Sequence, residues 1–161
     1  MSDTITRSRG AELLDGEFSE FAADLRRDVA KENPGFTTEY IDLLVTAWAD
    51  WATLVADDPL AGYALTIDMD EVWHAALRRT RKNLSFMSRL TGGRFIHHEP
   101  ANNYGTPDKV RETVAALVAA GYGAAPEVYS ATTGADCQAG NDCKPAAPCS
   151  GYDVAPLDLT A

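Results

Sequence analysis

Apolar residues recur at intervals of three and four along most of this chain, and turn-forming breakers cut the pattern into helix-sized blocks. Over 16–32 the apolar positions are Phe18, Phe21, Leu25 and Val29, and Asn33-Pro34-Gly35 ends the block because a proline disfavours helix in the residue before it. Over 37–56, Ile41, Leu44, Trp48, Trp51 and Val55 form one face, and Asp57-Asp58-Pro59 closes it. A third helix is predicted to open at Asp68, whose carboxylate can cap with Glu71 three residues on, and to run to Gly92-Gly93. Its stripe is Trp73, Leu77, Thr80, Leu84 and Met87. A fourth block over 107–120 turns Val110, Val114, Leu117 and Val118 inward and stops at Gly121. No stretch sustains the alternation of a half-buried strand. The pattern therefore predicts an all-α fold, a compact bundle of about four helices over 16–130.

The flanks read differently. Residues 1–15 are mixed and are expected to form a flexible N-terminus. The segment 94–105 has no helical period and is expected to be a structured loop that carries histidines. From about Ser130 the chain turns small, polar and proline-containing, so 131–161 is expected to be a flexible, cysteine-containing tail. A length of 161 residues suits one domain, and 45% apolar with 24% charged residues is an ordinary globular composition.

Charge and targeting narrow the function classes. Fourteen basic against 24 acidic residues give a net charge of −10, which argues against nucleic acid or an anionic membrane as the partner of the whole surface. No apolar run approaches the ~18 residues of a membrane span. The opening MSDTITRSRG lacks the apolar core of a secretory signal, so the expected location is cytoplasmic.

The three histidines, His74, His97 and His98, all fall between positions 74 and 98. Asp70 and His74 are four apart on the third helix and so share a face. If the following loop folds back over the first turns of that helix, His97 and His98 can join them. Two or three histidines with one carboxylate suit zinc or iron. The bland alternatives are a carboxylate favoured by the helix N-terminus and a histidine packed beside Trp73. Between Val72 and His98 there is no acid, yet Arg78, Arg79, Arg81, Lys82, Arg89 and Arg94 are all present. This is either a solvated face or a dock for an anion, with Arg78, Arg81 and Arg94 as the anion-binding candidates.

These residues carry a resemblance. Asp70-Glu71-Val72-Trp73-His74, then Thr80-Arg81, then Gly93-Arg94-Phe95-Ile96-His97-His98 and Pro100 resemble the glycine-rich domain-containing protein-like family, as a short bacterial member would. Trp51 to Val55 and the stretch from Lys109 to Tyr129 extend the likeness to roughly 40–150, with departures at Ala76, Asn83 and Met87. The resemblance implies a shared polar site at Asp70, Trp73, His74, Arg94, His97, His98 and Pro100. It implies no particular reaction.

Cys137, Cys143 and Cys149 recur every six residues in the tail. Thiolates so placed are possible ligands for zinc or copper(I), but the usual zinc spacing is tighter, and reducible thiols on a flexible tail are the simpler reading. The leading expectation is a divalent-metal site of Asp70, His74, His97 and His98, extended to metal-dependent chemistry on an anionic small molecule or peptide. The alternative is a non-enzymatic interaction module whose arginine-rich helix docks an acidic protein surface.

Overall fold

The computed structural model describes residues 5–97 and 106–130, together with the backbone of 151–152. The helices are α1 (Arg9–Asp15), α2 (Ser19–Glu32), α3 (Thr38–Asp57), α4 (Ile67–Arg78), α5 (Thr80–Thr91), α6 (Pro107–Ala119) and α7 (Pro126–Tyr129). The fold is an all-α bundle.

Its axis is α3, which is buried without interruption over 47–56 because α1, α2, α4, α6 and α7 all pack around it. Such all-round burial needs an almost wholly apolar sequence, and Ala47-Trp48-Ala49 and Trp51 to Ala56 supply it. Large rings and alanines alternate, so the neighbouring helices approach closely. Trp48 stacks on Phe86 with centroids 5.5 Å apart, and Trp73 meets Trp51 edge-on at 5.2 Å. All four rings are fully buried, and each pair contributes about 0.5–1.5 kcal/mol beyond area burial. Ala76 and Met87 belong to the same core, and Asn83 is buried as well.

Four sequence expectations need correction. The block expected as one helix from Asp68 to Gly92-Gly93 is two, α4 and α5, broken at Arg79 (φ −104°, ψ 55°). No glycine or proline causes the break. Arg79 leaves helical geometry with its guanidinium held by Asp28 and Asp24 on α2, a tertiary cause that a local pattern does not carry. The cap of α4 is Thr66, whose hydroxyl accepts from the Met69 amide; Asp68 lies inside the first turn, and its carboxylate accepts from the Tyr40 hydroxyl at 2.6 Å.

The N-terminal segment, expected to be flexible over 1–15, contains a helix packed on the core over Arg9–Asp15. Ser8 caps α1, Ala11 and Leu14 are core residues, and Gly10 lies against α3. A Cβ at Gly10 would fall 2.4 Å from the Ala49 carbonyl oxygen, so only glycine permits this approach. Finally, Ile96–His97 (β1) pairs antiparallel with Gly151–Tyr152 (β2), which ties the expected loop to the expected tail. The rest of 131–161 lies outside the described residues. Among the described residues no helix is long and apolar enough to cross a membrane.

Candidate functional site

Thr66 starts α4 one turn before Asp70, so Asp70 and His74 fall on successive turns of one face. His74 Nε2 and Asp70 Oδ2 are 3.5 Å apart, with the imidazole 46% and the carboxylate 20% exposed. Burial pushes the Asp70 carboxyl above its ordinary range, His74 pulls it back, and Glu71 adds to the rise. The arrangement is a shielded carboxylate behind a half-exposed imidazole. Trp73 between them is core, fully buried against Trp48 and Trp51.

Of the other described candidates, His97 and Arg94 have partners of their own. His97 sits on β1 beside the fully buried Ile96 and meets the Phe95 ring edge-to-face at 5.3 Å. Arg94 is folded onto the end of α5: its amide donates to Thr91 Oγ1, that hydroxyl donates to the Arg94 carbonyl, and its Nε donates to the Thr91 carbonyl. There the guanidinium lies by a helix C-terminus, where a cation is favoured. Among the described residues no three His, Cys, Asp or Glu side chains gather as metal ligands would. His98, Pro100, Cys137, Cys143 and Cys149 lie outside the described residues.

The basic strip has an internal counterpart. Glu17, Glu20, Asp24, Asp28 and Glu32, spaced by three and four, form an acidic stripe on and just before α2. Arg78 pairs with Glu32 at 2.9 Å, and Arg89 with Glu17 at 3.2 Å. Lys82 pairs with Asp24 at 2.7 Å. Arg79 grips Asp28 through Nε and Nη2 and reaches Asp24 through Nη1. Lys82 and Arg27 hold the Asp24 carboxyl below the usual range, and Arg79 does the same for Asp28. Arg81 makes no ion pair among the described residues. An acidic stripe of this spacing was the sequence signal for the seam, read together with the arginines that answer it.

A second buried carboxylate was also missed. Asp50 is 6% exposed in the middle of α3 and accepts a 2.5 Å hydrogen bond from the Ser8 hydroxyl. Burial pushes its carboxyl up to about 6, against the lowering influence of Ser8 and Arg7. Near it, the Tyr129 hydroxyl is buried with no hydrogen-bond partner among the described residues. Burial and the Asp50 charge both raise this phenol. The signal for Asp50 was its isolation, since it is the only charged residue between Leu43 and Ala56. No protein-family model, curated protein or solved structure matches the chain.

Proposed function

We propose that the Asp70–His74 pair is the polar centre of this protein and takes a divalent metal, zinc or iron. The supporting observation is the pair itself: a shielded carboxylate with a half-exposed imidazole 3.5 Å away, on consecutive turns of one helix. Imidazole nitrogen and carboxylate oxygen are the donor types that zinc and iron prefer. A cation beside Asp70 would also offset the cost of keeping that carboxylate ionised away from water. The described residues supply two adjacent donors, which supports an exchangeable site with water in its coordination shell rather than a closed structural one. When bound, the metal would supply Lewis acidity or an activated water. Arg94 is the residue we assign to an anionic substrate group.

The resemblance of the D-x-x-W-H and G-R-F-x-H-H-x-P segments to one family supports a common polar site at these positions. The alternative, docking of an acidic partner on the arginine-rich helix, has less support because Arg78, Arg79, Lys82 and Arg89 already face the acids of α2.

Elemental analysis of protein purified without chelators tests the reading. Zinc, iron, copper or manganese should be retained at a substantial fraction of one equivalent, and His74→Ala, at a half-exposed position, should lose most of it. Protein that contains no metal and shows no saturable change on zinc titration sinks the proposal, as does unchanged metal content in the variant.

A further inference from the structure

A cavity of about 390 Å³ opens between the segment before α1, the middle of α3 and the turn at 123–126. Its walls include Ile5, Leu43, Ala47 and Pro126, and Asp50 is the acidic group that lines it. Ile5 and Leu43 are 70% and 37% exposed, so two of the few large apolar side chains left in water stand at this one opening. A volume of that size falls at the lower end of small-molecule sites, which are typically about 300–1,000 Å³. A second hollow shares Ala124 and Pro126 as lining, and Tyr129 also lines it.

We propose that this cavity binds a small organic amine, its ammonium on the Asp50 carboxylate and its apolar body against Ile5, Leu43 and Ala47. The site is distinct from the Asp70–His74 pair and does not depend on it. Three features select the ligand class. The cavity carries one carboxylate on otherwise mainly apolar walls, which is enough for a monovalent ammonium and too few donors for a metal. Asp50 has a hydroxyl for its direct partner and no cation within ion-pair distance among the described residues, and Arg7 acts on it only from farther off, so there is room for a contacting cation from outside. The nearest cation lining the cavity, Arg7, is engaged by Asp15, and an anionic ligand would meet the Asp50 charge. The hydroxyls of Thr6 and Thr46, which also line the cavity, are acceptors available for the remaining ammonium protons.

The test is a titration of the full chain, at pH 7.5, with phenethylamine, its neutral isostere phenethyl alcohol and the anion 3-phenylpropionate, followed by NMR chemical shifts. The amine should give saturable shifts at Leu43, Ala47 and Ala124 and should bind at least tenfold more tightly than either control. Asp50→Asn keeps the Ser8 hydrogen bond and should lose the amine preference. Ala47→Leu, which fills the cavity and retains Asp50, should lose binding of all three, so the proposal stays testable if the first variant fails to fold. Equal affinity for amine and alcohol overturns the proposal, and so does tighter binding of the anion, undiminished binding by Asp50→Asn, or the absence of saturable shifts.

Discussion

Asp24 and Asp50 are both buried aspartates on the inner side of a helix, and the protein treats them in opposite ways. Asp24 faces Lys82, Arg27 and Arg79 and is held below the usual carboxylate range. Asp50 faces a serine hydroxyl and apolar walls and is pushed up to about 6. The first carries charge that the fold itself neutralises, and it fixes how α2 meets the α4–α5 junction. The second carries charge that no cation pairs among the described residues, near a phenol without a hydrogen-bond partner among them and a cavity that reaches water. Both expose little surface, but Asp24 is covered by the long cationic side chains that pair with it, whereas Asp50 lies deeper, where loss of water is the main cause of its raised carboxyl.

The largest effect should come from breaking the compensated side. Arg79→Met removes the cation that joins Asp24 to Asp28, and should cost about 3 kcal/mol in urea denaturation at pH 7, held below the upper end for buried pairs by the partial exposure of the guanidinium. A smaller cost would mean that Lys82 and Arg27 suffice.

Next in size is the dependence on pH. The Asp50 carboxyl is raised on folding, so the native state holds its proton longer than the unfolded chain does. Its stabilising contribution is complete below the unfolded value of 3.8 and is lost as pH rises through about 6. The loss is on the order of 3 kcal/mol, at about 1.36 kcal/mol for each tenfold change in proton affinity. Asp24 and Asp28 behave in the reverse sense: their contribution is present above 3.8 and disappears as pH falls through their lowered values. Denaturation midpoints measured from pH 3 to 8 should therefore show two limbs. Asp50→Asn should flatten the limb between pH 4 and 6.5 and leave the acid limb in place. If both limbs survive that substitution, Asp50 is not the titrating group.

Tyr129→Phe should raise stability by about 1 kcal/mol, because it removes a buried hydroxyl that has no partner among the described residues. Thermal unfolding reads this directly, and a loss of stability would show that the hydroxyl is satisfied in solution. The smallest change belongs to Arg81→Ala, at a cation with no ion pair among the described residues, where less than about 0.5 kcal/mol is expected. A larger loss there would place Arg81 in the seam.

The sequence made parts of this legible and hid others for physical reasons. The stripes at Phe21, Leu25 and Val29 and at Ile41, Leu44, Trp48 and Trp51 mark helices that bury those residues, because helix periodicity is a local property. Two turns of helix at Arg9–Asp15 are too short for a period to stand out, and only Ser8 with Ala11 and Leu14 signalled them. The break at Arg79 depends on aspartates more than 50 positions away. The Asp70–His74 pair was readable from i,i+4 spacing. Asp50 was readable only as an anomaly, an isolated charge in an apolar run, and nothing local says that Ser8 and a cavity await it.

Gly10 sits where α1 touches α3, with no room for a methyl group between it and the Ala49 carbonyl. Ala49 precedes Asp50, and Ser8, two residues before Gly10, is the hydroxyl that binds that carboxylate. The spacing of the two helices is thus coupled to the proton affinity of one buried acid. A Cβ at position 10 would lift α1, lengthen the hydrogen bond from Ser8 and let water reach Asp50. The absence of a side chain at position 10 therefore acts at a distance as a setting for acidity, and evolution or an engineer could tune the cavity by changing a residue that never lines it.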